Sequence, residues 1–95
     1  MRELTPTTQL ARSPDVLFSP LADNEGVLLS MEAGLYFSLN KTAVVVWNAL
    51  EKAKSLDELA DLLAARFKVE RTQAQADLET LLAQMVEKKL VVQQS

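Results

Sequence analysis

GLYFSLNKTAVVVWNAL, residues 34–50, decides how this chain folds. Its first part, LYFSL over 35–39, has high β propensity and alternates Leu, Phe and Leu with Tyr and Ser. From Asn40 the period changes, and Ala43, Val46, Trp47, Leu50 and Ala53 recur at helical spacing. Val44-Val45-Val46 alone would read as strand, but the length of the periodic segment decides for a helix over 41–53. The stretch carries no His, no Cys and no acidic residue, and Lys41 is its single charge. It is a strand feeding a helix, with no group that does chemistry.

Upstream, two more β-prone runs appear, VLFSPL over 16–21 and VLLSM over 27–31. Ala22-Asp23-Asn24-Glu25-Gly26 separates them as a turn, with Gly26 able to supply φ > 0. Glu32-Ala33-Gly34 makes the next turn. Connections this short predict an antiparallel meander, since a parallel crossover needs a dozen or more residues. Residues 1–14, with Pro6, Pro14 and several Thr, Gln and Ser, read as a polar arm, extended or mobile.

Downstream, Ser55-Leu56-Asp57-Glu58 is a capping box. Leu56, Leu59, Ala60, Leu63 and Phe67 follow it as the stripe of a second helix ending near Lys68. The third helix starts around 71–73, with Glu70 or Thr72 as N-cap and Thr72-Gln73-Ala74-Gln75 the better box. Its stripe is Ala74, Leu78, Leu81, Leu82, Met85 and Val86. Lys88 and Lys89 suit its C-terminal dipole, and Leu90-Val91-Val92 leaves as a short extended tail. The expectation is an α+β fold, a three-stranded antiparallel meander followed by three helices in a winged helix-turn-helix-like arrangement. The domain spans 15–92, with 93–95 as a tail.

A chain of 95 residues makes one small domain, and a hydrophobic fraction of 48% rules out extensive disorder. Such a domain buries roughly 60–65% of its unfolded surface, so its stability is modest. With no Cys and no His it has no disulfide to reinforce it and no metal or cofactor is expected, which fits a reducing cytosol. The longest apolar run, 43–47, is far short of the roughly 18 residues of a membrane span. The N-terminus lacks the apolar core of a secretory signal. A soluble cytoplasmic protein, monomeric or weakly dimeric and without a membrane partner, is expected.

Catalysis needs a nucleophile, an acid–base group or a metal held in a cleft. The remaining carboxylates Asp57, Glu58, Asp61, Asp77, Glu79 and Glu87 fall on helix surfaces, and Glu58 and Asp61, three apart, read as a solvated face. Ser19, Ser30 and Ser38 have no base to activate them, and Gly26 and Gly34 cannot build a phosphate loop. An enzyme is therefore not expected. A winged helix also suggests a DNA-binding regulator, the alternative reading. Its recognition helix would be the third, which from Thr72 to Glu87 has no Lys or Arg, and the net charge is −3 with a pI of about 4.9. That surface would repel phosphates, so no nucleic-acid partner is expected.

Binding of another polypeptide remains. Pro20 blunts the edge of the first strand, whereas 35–39 has no Pro and no charge and forms an unguarded edge unless it lies mid-sheet or the arm covers it. A peptide adding as an extra strand would satisfy it. With Leu35, Phe37 and Leu39 toward the core, Tyr36 and Ser38 face the other way, and Tyr36 is an amphipathic candidate anchor. Leu81, at the border of the third helix's stripe, is flanked by Asp77, Gln84 and Lys88. If that border faces the strand, the two form a groove with an apolar floor and a polar wall. Phe37, Trp47 and Met85 also serve as plain core residues.

The ordered set Phe37-Ser38-Leu39-Asn40, Ala43, Val46-Trp47 and Leu50 resembles the signature of PqqD-like proteins. So do Val27-Leu28-Leu29 and Gly34 before it, and Leu56 to Leu63, Phe67, Val69, Ala74, Asp77-Leu78, Leu81-Leu82 and Leu90-Val91 after it. That family comprises recognition elements for ribosomally synthesised and post-translationally modified peptides (RiPPs). The resemblance implies a non-catalytic adaptor. It binds the leader of a precursor peptide as a strand beside the third strand and presents it to a leader peptidase, cyclase or radical enzyme. Carried onto this chain, the site is Leu35, Tyr36, Phe37, Ser38 and Leu39 with Asp77, Leu78, Leu81, Gln84, Met85 and Lys88. Phe37 stands where Tyr is common, Ala43 where Gly is frequent and Ser30 where Asp is frequent. The chain looks closer to the free-standing elements of lasso-peptide systems than to the pyrroloquinoline-quinone branch.

Overall fold

The computed structural model describes residues 7–94, with the backbone alone described at Gln94. The expected meander is present: β2 (Val16–Pro20), β3 (Gly26–Ser30) and β4 (Leu35–Leu39) pair antiparallel in the order β2-β3-β4. Helices α1 (Lys41–Ala49), α2 (Leu56–Phe67) and α3 (Arg71–Glu87) follow.

The expected arm is different. Its first six residues lie outside those described, as does Ser95 of the expected tail, but Gln9–Arg12 forms strand β1. β1 is the centre of a second sheet, between β5 (Lys54–Ser55) and β6 (Val91–Gln94), with Leu10 opposite both Lys54 and Gln93. Strands near the two ends of the described residues thus pair with each other. Leu10 is fully buried, in one core with Leu28, Val46, Trp47, Leu59, Leu78 and Val91. No periodicity marks this strand, because its pairing partners lie far along the chain.

Local signals set most helix ends. Asn40 caps α1, its Oδ1 accepting the Ala43 N–H at 2.9 Å. The capping box of α2 is complete, with Ser55 Oγ accepting from Glu58 N–H at 3.1 Å and Glu58 Oε1 from Ser55 N–H at 3.0 Å. Helix α1 ends at Ala49, short of the expected 53, and the chain runs on into β5. Helix α3 starts after Glu70, which gives no side-chain cap, so the expected box from Thr72 does not form. Phe67, placed by its spacing on the α2 stripe, is 38% exposed at the helix end.

The turns also depart from the sequence reading. Asp23 and Asn24, not Gly26, take positive φ between β2 and β3. Gly26 lies inside β3, where a Cβ would sit 2.9 Å from Phe18 Cζ and closer still to Cε1, so glycine admits the aromatic ring. Gly34 does supply the positive φ of its turn, which Ser30 Oγ closes by accepting the Ala33 N–H at 3.2 Å.

Candidate functional site

Strand β4 is one wall of a cleft and α3 the other. Tyr36, Phe37, Ser38 and Leu39 face Leu81, Gln84, Met85 and Lys88 across a central volume of about 280 Å³, closed below by Leu90. At the Leu39 end it continues into a hollow of about 510 Å³ bordered by Leu21, Glu25, Gly26, Asn40 and Ala43. At the Leu35 end a hollow of about 380 Å³ is bordered by Ser30, Glu32, Ala33, Glu87, Lys88 and Lys89. The cleft therefore runs the length of the strand. Leu81, Gln84, Met85 and Lys88 share one helix face by their spacing of three and four.

The hydrogen-bond phase of the sheet decides what the strand offers. Leu21 N–H donates to Glu25 O at 2.8 Å and Met31 N–H to Asp15 O at 2.9 Å, so the odd-numbered residues of β3 bond to β2. Bonded positions alternate, so its even-numbered residues bond to Leu35, Phe37 and Leu39. The N–H and C=O of Tyr36 and Ser38 then point to the open edge along the cleft. The same phase turns Pro20 toward the outer edge of β2, where it removes a donor. One edge of this sheet is blunted and the other is free.

Exposure follows a gradient along β4. Leu39 is 5% exposed, Phe37 half-buried and Leu35 55% exposed, so Leu35 is not the core residue that alternation predicts. It lies at the open end of the cleft. Tyr36, at 76%, projects from the opposite face. Phe37 forms the floor beside Leu81 and Met85, and Lys88 Nζ stands 5.5 Å above its ring centroid. A separate hollow of about 650 Å³ lies on the outer face of the sheet, among Leu17, Phe18, Ser19, Val27, Leu29, Tyr36 and Ser38. It has no helix wall and no charged residue.

Of the residues expected to form the site, Leu35 to Leu39, Leu81, Gln84, Met85 and Lys88 border this one cleft. Asp77 and Leu78 do not. Leu78 is fully buried between the helices, and Asp77 is exposed and accepts a hydrogen bond from Gln73 Nε2 at 2.9 Å. The rotation of α3 that buries Ala74, Leu78, Leu82 and Met85 carries position 77 away from the strand. Sequence reasoning missed Leu90, Asn40 and Glu25. Asn before a periodic run was a usable cap signal, whereas Leu90 reaches the cleft through the turn that ends α3.

Four of the helix carboxylates, Asp57, Glu58, Asp61 and Asp77, have structural partners. Arg71 bridges Asp57 and Asp61 of α2, donating from Nε to Asp61 Oδ1 at 2.6 Å, and reaches Gln75 at 2.7 Å. Glu58 is committed to its capping box, and the Ser55 backbone and hydroxyl hold its carboxyl below the ordinary value of 4.5. Among the described residues no group of three His, Cys, Asp or Glu could hold a metal, and no helix is long and apolar enough to cross a membrane. The single cation within α3, Arg71, is occupied by carboxylates and not free for phosphate.

Comparison with known proteins gives one family match and three similar structures. The family profile described as "Coenzyme PQQ synthesis protein D (PqqD)" matches residues 25–91. The structure described as "TbiB1 in Complex with the TbiA(beta) Leader Peptide" is 31% identical with a TM-score of 0.77, covering 85% of this chain and 93% of that one. A lasso peptide synthetase B1 complexed with its leader peptide is 28% identical, with a TM-score of 0.72 over 87% of this chain and 96% of that one. The PqqD truncation of Methylobacterium extorquens PqqCD, described as a stand-alone RiPP recognition element, shares the fold at 20% identity and a TM-score of 0.78, over 94% of both chains. No curated protein matches the chain.

Proposed function

The chain belongs to the PqqD family, and from that premise we propose that it is a non-catalytic RiPP recognition element that captures the leader region of a precursor peptide as an added strand on β4. The leader lies in the cleft against α3 and is thereby presented to a maturation enzyme, a leader peptidase, cyclase or radical enzyme. The observation that carries this reading is the phase of β4. The main-chain groups of Tyr36 and Ser38 face an open cleft whose floor is Phe37, Leu81 and Met85. A guest strand would complete the ladder through them, a sequence-tolerant source of affinity. Its alternate side chains would fall on the cleft floor and toward the outer hollow beside Tyr36, and these give specificity.

The greater identity to TbiB1 and to a lasso peptide synthetase B1 than to PqqD supports a free-standing element of a lasso-peptide system. The guest is disordered when free, so ordering it opposes binding and keeps the affinity below the rigid-partner extreme.

The test is a titration of the labelled domain with leader peptides encoded beside its gene and, separately, with duplex DNA at low salt. Expected are amide shifts concentrated at Tyr36 and Ser38 on adding leader, and none on adding DNA. DNA binding that weakens steeply with salt, together with silence toward every leader, would replace this reading by a DNA-binding regulator.

A further inference from the structure

Lys88 is a cation at an apolar place. Its ammonium stands above the Phe37 ring, and among the described residues it makes no ion pair with a carboxylate. It is the only charged residue bordering the centre of the cleft. The hollow at the Leu39 end likewise has one charged residue, Glu25, which also makes no ion pair among the described residues. The far hollow holds Glu32, Glu87 and Lys89, and Lys88 stands between it and the centre of the cleft. The cleft is therefore polarised, with a cation at mid-strand and an anion at its Leu39 end. Phe37 and Asn40 are three residues apart, which sets these charges at strand positions separated by about 10 Å.

Resting on the strand-addition reading, we propose that the guest peptide carries an acidic residue that meets Lys88 and a basic residue about three positions away that meets Glu25. The order of these two charges fixes the direction in which the guest strand lies. Backbone pairing alone does not set direction, since an edge strand accepts a parallel or an antiparallel partner. A guest entering the wrong way would bring its acid to Glu25 and its base to Lys88, so like charges would oppose that register. The stacking of Lys88 on Phe37 holds the ammonium in place before the guest arrives, which lowers the ordering cost of the contact.

The probes are short blocked peptides of one alternating leucine–threonine pattern, made in three versions. One has Lys before Glu about three positions apart, one has the order reversed, and one has Gln at both places. Binding is read from the Tyr36 and Ser38 amide shifts at low salt. Expected is a preference of about fivefold or more for one charged order over the other, with the neutral peptide between them and the preference fading in high salt. Lys88→Gln should reduce that preference to about half in free-energy terms, Lys88→Glu should abolish it, and Lys88→Glu combined with Glu25→Lys should reverse it, each read relative to the same variant's binding of the neutral peptide. Equal binding of both orders, or a preference unmoved by Lys88→Glu, overturns the charge assignment and leaves strand addition standing. No shift at Tyr36 and Ser38 with any version overturns strand addition itself, and the charge assignment with it.

Discussion

The Arg12 guanidinium lies 4.9 Å from the centroid of the Trp47 ring and donates from Nε and Nη2 to the Trp47 carbonyl at 3.0 and 2.8 Å. One residue of β1 thus satisfies a carbonyl in the last turn of α1 and places its charge over that helix's largest side chain. A cation at a helix C-terminus also opposes the negative end of the dipole. Through α1 this contact bears on β4, which runs directly into the Asn40 cap. Arg12→Ala should cost about 1–3 kcal/mol in urea unfolding, from the loss of a charged hydrogen-bond pair and a cation–π contact. Arg12→Lys should recover only part of that, because an ammonium lacks the planar fork.

Strand phase makes a prediction that distinguishes neighbours. Ser38→Pro deletes a donor on the open edge and should weaken guest binding by about tenfold with the helices still folded. Phe37→Pro deletes a donor toward Leu28 and should instead lower the unfolding midpoint. The reverse pattern, with Ser38→Pro the more destabilising of the two, would mean that the phase of β4 is the opposite one.

Tyr36 exposes 76% of its surface beside the edge. Tyr36→Ala should leave stability within about 0.5 kcal/mol and reduce guest affinity by about 1–2 kcal/mol. A large fall in melting temperature would make it a packing residue.

Glu58 is held below its ordinary value by the Ser55 backbone and hydroxyl. The ionised form is favoured in the folded state, so its stabilisation is present above 4.5 and is lost as pH falls through the lowered folded value. The stability difference between the wild type and Glu58→Gln should be constant near neutrality and shrink as the solution is acidified below that range. Ser55→Ala, which removes the cap itself, should cost about 1 kcal/mol at neutral pH.

Lys68 ends α2 with φ 54, a left-handed position where glycine is favoured. Lys68→Gly should stabilise the fold by about 0.5 kcal/mol, relief of that strain exceeding the added chain entropy. A differential scan should show a rise of about 2–4 °C. An unchanged or lower midpoint would show that Lys68 makes compensating contacts.

What was legible in the sequence was what neighbours along the chain decide. The strand 35–39 and the start of α1 followed from a change of period at Asn40, and the cap of α2 followed from Ser55 and Glu58. The free edge was half legible. Pro20 pointed to one blunted side, but the outward turn of Tyr36 and Ser38 needed the bonded phase of β3. Asp77 and Leu78 were misplaced because a stripe's border, read from spacing, does not give the rotation of a helix against its neighbours.

By itself the sequence determined the meander, the three helices and the absence of the commonest catalytic groups, because propensity, period and capping act over a few residues. Tertiary structure alone decided that β1 lies between β5 and β6, that Arg12 finds Trp47, that Asp77 turns away from the strand, and that Leu90 borders the cleft. Those relationships join residues distant in the chain. They are set by which faces pack together to exclude water, and no local pattern encodes that choice.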